Sequence, residues 1–132
     1  MSDELTELLH ATMPLCRTLG MRGVAMGAEE VVAELDWSAE LCTGGGILHG
    51  GTLMAVADSV GAACAFANLP EGAGGTTTIE SKTNFLGAAT EGTTVRATAR
   101  PLHAGRRTIV IETELRAGDR LVAKTTQTQA VL

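Results

Sequence analysis

What the chain lacks narrows its possible functions first. No stretch of 18 uncharged apolar residues occurs, so no membrane-spanning helix is expected. Cysteine is scarce. Cys16, Cys42 and Cys64 are odd in number and lack metal-ligand spacing. Reduced thiols and no metal site are therefore expected. Basic residues are outnumbered, and the formal net charge is −5. A general nucleic-acid binder would carry a basic face, so nucleic acid is not an expected partner. Aromatics are nearly absent. Trp37, Phe66 and Phe85 neither require nor exclude a pocket for a ring. The opening Met1-Ser2-Asp3-Glu4 has no basic region followed by an apolar block, which predicts no secretory signal and a cytoplasmic protein. No repeat or low-complexity tract appears, and 132 residues read as one domain, 1–132.

What is present reads as strands around one helix. Residues 2–12 predict a short helix, with Ser2 as its N-cap and Leu5, Leu8, Leu9 and Thr12 on one stripe; Pro14 limits it. From Met21 the signal is that of strands. Val31, Ala33, Leu35 and Trp37 alternate with Val32, Glu34 and Asp36. A helix is predicted over 50–68, then a break at Pro70-Glu71-Gly72. Four strands follow, over 76–86, 93–102, 108–116 and 121–132. Gly105 and Gly118 sit in the hairpin joints between the last three. The order β-β-α-β-β-β-β implies an antiparallel sheet. A helix apolar all round must be wrapped by it, because nothing else in the chain can cover that helix.

The chemistry concentrates in residues 43–68. Thr43, three glycines and Ile47-Leu48-His49-Gly50-Gly51 lead into an apolar run with a single carboxylate, Asp58. A buried carboxylate without a partner is costly, so Asp58 calls for a reason. The glycines bring bare backbone N–H groups to the helix start. Such a start stabilises negative charge, including a developing oxyanion. An oxyanion-binding helix start plus a helix-borne carboxylate suggests acyl transfer. Each piece also has a plainer reading. Asp58 reads as a satisfied structural carboxylate, the glycines as a turn, and His49 as a capping histidine. Cys42 reads as a packed thiol rather than a nucleophile. Arg106 and Arg107 follow a hairpin glycine, and read either as a solvated turn or as a phosphate contact.

Gly50 and Asp58 are eight residues apart, which on a helix is about 12 Å of rise. If both act on one carbonyl, the carboxylate comes from a second subunit. Two antiparallel helices about a two-fold axis would make two equal composite sites. A homodimer, or a tetramer built from two dimers, is the expected state.

Gly46-Ile47-Leu48-His49-Gly50-Gly51, Asp58 nine residues after His49, Gly61, Thr78-Ile79-Glu80, Asn84-Phe85-Leu86, Gly92 and His103-Ala104-Gly105-Arg106 occur in one order at one set of spacings. This pattern resembles the hotdog-fold acyl-CoA thioesterases of the PaaI (phenylacetate-degradation) and 4-hydroxybenzoyl-CoA thioesterase type. The resemblance implies an α+β hotdog fold, with an antiparallel sheet around one long central helix and a short N-terminal helix. It implies hydrolysis of an acyl-CoA thioester, with no cofactor because CoA is part of the substrate. It also implies that Gly50 N–H polarises the carbonyl and that Asp58 is base or nucleophile. His49 would order the loop and a water, and Thr78 would support the site from the neighbouring strand. Gly51 and Asn84 would join Arg106 and Arg107 on the substrate. Two positions depart from the family pattern. Thr43 replaces an Asn or Gln, and Gly87-Ala88 replaces an Arg-Pro. Two alternatives stand beside the thioesterase: a hotdog hydratase and a non-catalytic acyl-CoA binder.

Overall fold

The structure is a computed structural model that describes residues 2–132. Helix α1 spans Ser2–Thr12. The side chain of Ser2, its expected cap, lies outside what is described. Pro14 ends α1 and also opens a second helix, α2 (Pro14–Leu19), which sequence reading missed. A proline at the first helical position gives up no intrahelical bond, since its missing N–H would be unpaired there anyway. Gly20, at φ 82°, closes α2 in the left-handed conformation.

Strands β1 (Arg22–Met26) and β2 (Val31–Asp36) follow, then a short 3₁₀ turn at Ala39–Leu41 and the long helix α3 (Gly50–Phe66). Strands β3 (Thr76–Phe85), β4 (Thr94–Ala104), β5 (Thr108–Ala117) and β6 (Arg120–Val131) complete the chain. Apart from α2 and the 3₁₀ turn, the expected element order is the observed one. Helix α3 stops two residues before the expected 68. Asn68 Nδ2 instead donates to the Cys64 carbonyl at 2.8 Å and to the Ala28 carbonyl at 2.9 Å, tying the helix end to the β1–β2 connection. None of the described helices is long and apolar enough to cross a membrane.

All strand pairs are antiparallel, in the order β1-β2-β4-β5-β6-β3. Alternation decides the faces as expected. Val95, Ala97 and Ala99 of β4, and Ile109, Ile111, Thr113 and Leu115 of β5, are all buried beneath α3. The small alanines let the helix lie close, and Val56, Ala57, Val60 and Cys64 are sealed against them. Helix α1 packs along β1, where Gly23 N–H donates to Thr6 Oγ1 at 2.9 Å. One edge of the sheet is thus covered, and the ten-residue strand β3 forms the other edge.

One expectation fails here. The chain's own sheet covers one side of α3, not all of it. Leu53, Val56, Ala57, Val60 and Cys64 are buried, but Met54, Asp58 and Phe66 face outward and are exposed. The expected burial of Asp58 in an apolar wall does not occur within a single chain.

Candidate active site

The site residues sit at the start and at the middle of α3. The approach to α3 is pinned by backbone bonds. Thr43 N–H donates to Ile47 O, Leu48 N–H to Ala89 O and His49 N–H to Leu41 O, each near 2.9–3.0 Å. Gly45 and Gly46 take φ of 88° and 77°, which side chains rarely adopt, and Trp37 Nε1–H holds the Gly46 carbonyl at 2.9 Å. The loop is therefore a fixed turn rather than a flexible one.

His49 is the N-cap of α3. Its Nδ1 accepts from Gly51 N–H at 2.7 Å, so its ring proton belongs on Nε2 when the ring is neutral. A Cβ at Gly51 would lie 2.9 Å from that Nδ1, so this cap needs a glycine there. The cap takes up the Gly51 N–H and leaves the Gly50 N–H without a partner among the described residues. The free donor at the helix start is thus Gly50. The ring of Phe85, from the end of β3, lies against Gly50.

Two turns further along α3, Asp58 reaches toward β3 and β6. Its Oδ1 accepts from Thr78 Oγ1 at 2.8 Å and from Gln127 Nε2 at 3.0 Å. Thr78 Oγ1 in turn accepts from Gln129 Nε2 at 2.5 Å, which leaves the threonine proton for Asp58. Both glutamines are fully buried. Both donors converge on Oδ1, and Oδ2 of this exposed residue has no hydrogen-bond partner among the described residues. Gln127 Oε1 has no partner among the described residues and sits against Gly61, where a Cβ would approach to 1.8 Å. Gly61 is the only residue type that leaves room for this glutamine.

Residues 45–124 match the family model of the Thioesterase superfamily. The chain belongs to the thioesterase superfamily. It is 35% identical to a candidate esterase of Mycobacterium tuberculosis, Rv1847, over 101 residues, covering 75% of this chain and 71% of that protein. The structure of that protein superposes with a TM-score of 0.86 at 30% identity, over 91% of this chain and 97% of the other. The conserved protein PA5202 of Pseudomonas aeruginosa gives 0.82 at 36% identity, over 89% and 93%. A variant of the phenylacetic acid degradation protein PaaI of Thermus thermophilus gives 0.83 at 26% identity, over 90% and 99%. The PaaI-like hotdog architecture expected from the sequence is the architecture observed.

Within this thioesterase framework the expected residues separate. Asp58 and Thr78 meet directly. His49, Gly50 and Gly51 form the helix start, about 12 Å along α3 from Asp58 in the same chain. Thr43 lines a different cleft, with Trp37, Cys42 and Glu91. Asn84 is exposed on β3, one position beyond Thr83, whose hydroxyl meets the buried Thr125, and six residues along the strand from Thr78. Arg106 and Arg107 are exposed on the β4–β5 turn and form no ion pair among the described residues. Sequence reading missed Gln127 and Gln129. The signal was there: Lys124 must face water, so alternation turns 125, 127 and 129 inward.

Proposed function

We propose that this chain hydrolyses an acyl-CoA thioester to the free acid and CoA, with two copies building each site. The observation that supports this most is the carboxylate of Asp58, anchored through Oδ1 by Thr78 and Gln127 with Oδ2 left open. Oδ2 takes a proton from a water that attacks the thioester carbonyl, or attacks that carbon itself to give a mixed anhydride that water then opens. The carbonyl oxygen becomes an oxyanion facing the unpaired Gly50 N–H. The tetrahedral carbon collapses, the C–S bond breaks, and the thiolate of CoA leaves without an acid catalyst. His49 holds the helix start in place, Thr78 orients Asp58, and Arg106 and Arg107 reach for CoA phosphates. No cofactor enters these steps.

The separation of Gly50 from Asp58 on one helix supports drawing the two groups at each site from different subunits. Two features support a second copy. The outward side of α3 presents Met54 and Phe66, exposed by 37% and 61%. The β3 edge is long and unpaired, with Ile79 exposed beside it. The test is Asp58→Asn. Asparagine keeps an oxygen for Thr78 and Gln127 but cannot act as base or nucleophile. The variant should fold, sediment and bind acyl-CoA like the native chain while hydrolysis falls by roughly a thousandfold or more. Turnover within a few-fold of native would return Asp58 to a structural role.

A further inference from the structure

A cleft of about 500 Å³ opens beside the C-terminal half of α3. Leu8, Leu9 and Met13 form one wall, Ala62 and Phe66 the other, and Thr76 closes it at the sheet. The cleft neighbours the site along both α3 and β3. Ala62 lies one helical turn beyond Asp58, on the same side of α3. Thr76 lies two residues before Thr78, on the same face of β3. Residues adjacent to the Asp58–Thr78 contact on both elements thus line the cleft. In the other direction the Phe85 ring packs against Gly50.

We propose that this cleft receives the acyl group of the substrate, and that this group is an uncharged saturated chain rather than a hydroxylated ring or a dicarboxylic acid. The inference rests on the reading of Asp58 given above. Among the described residues no charged side chain lines the cleft. Of its two hydroxyls, Thr12 already donates to the Leu8 carbonyl at 2.8 Å. A carboxylate or phenol placed there would lose water and find little in return. A saturated chain gains with each methylene it buries, about fourfold per group. The volume falls within the usual range of roughly 300–1,000 Å³ for small-molecule sites. The competing occupant is a side chain of the second copy, since Leu8 and Phe66 are exposed in the single chain.

The experiment compares acetyl-, butanoyl-, hexanoyl-, octanoyl-, succinyl- and 4-hydroxybenzoyl-CoA. Native kcat/KM should rise at least tenfold from butanoyl to octanoyl, and the succinyl and 4-hydroxybenzoyl thioesters should fall below octanoyl. Ala62→Leu, which fills the cleft nearest Asp58, should cut the octanoyl-to-butanoyl ratio tenfold or more. Should that variant not fold, Leu8→Asp on the opposite, exposed wall reads the same ratio. The series is repeated as calorimetric binding to the Asp58→Asn protein, with and without Ala62→Leu. Binding that strengthens with chain length and loses that gradient in Ala62→Leu supports the cleft even if the native chain hydrolyses none of these thioesters. In that case the hydrolysis reading fails and the acyl site stands. Hydrolysis with no dependence on chain length, in rate and in binding, overturns the cleft and leaves the reaction standing. A gradient that survives Ala62→Leu while sedimentation shows a changed oligomer assigns the cleft to the second copy and overturns the proposal.

Discussion

Gln127 and Gln129 lie sealed beneath α3, and their amide protons decide how the exposed carboxylate of Asp58 is presented. Gln127→Leu should lower kcat by roughly tenfold to a hundredfold, the scale of one lost hydrogen bond to a charged group, while KM holds because Gln127 touches no substrate. Gly61→Ala should reproduce the defect by displacing Gln127 and should cost about 1–3 kcal/mol of stability by overpacking, read from urea midpoints. In the double variant Gly61→Ala with Gln127→Ala the stability losses should fall short of their sum, because the clash has gone. The thiols make a separate prediction. Burial pushes Cys64 from an ordinary 9.0 to about 11 and raises Cys16 as well. The folded chain keeps the Cys64 proton that the unfolded chain releases. That contribution is fully present below pH 9 and is lost as pH climbs toward 11. Urea midpoints should therefore fall across that interval, and less steeply for Cys64→Ala. At neutral pH a thiol reagent should modify at most one cysteine per native chain, Cys42, and all three once urea is added.

At the scale of elements, β3 is where assembly can be tested. Ile79→Lys, on the open edge, should weaken self-association in sedimentation, and activity should fall in step with the dimer if each site draws on two copies. Most elements were legible because a strand with one buried face shows period two, as in Val95, Ala97 and Ala99 or Ile109, Ile111 and Leu115. Helix α2 was not legible because Pro14 serves at once as the stop of one helix and the first residue of the next. The rotation of α3 was not legible either. A helix apolar on every side has no periodicity to orient it, so only packing on the sheet decides that Asp58 faces out and Val60 faces in. The site divides the same way. The turn into the helix at His49-Gly50-Gly51 was legible in residue types alone. The inward glutamines of β6 went unread because polar residues at core positions look like a solvent face until the register is fixed.

Across the whole molecule, charge and edges are unevenly distributed. The net charge of −5 repels an anionic ligand at long range. Most outer-face arginines are already engaged, Arg22 with Asp36 and Glu34, Arg96 with Glu34 and Arg100 with Glu30. Arg106 and Arg107 are free of such partners among the described residues. Neutralising both should raise KM for acyl-CoA roughly twofold to tenfold with kcat little changed, and should flatten its salt dependence. The edges follow a similar asymmetry. Helix α1 occupies the β1 side through Thr6 and Gly23, and the β3 side is bare. Such a chain has a valence of one. Joining two bare edges uses up both, so association by this route terminates at a pair and cannot propagate into a ribbon. Shortening the N-terminus past Thr6 would raise that valence to two, and a sheet whose pairing stops at two copies would become a monomer for polymerisation.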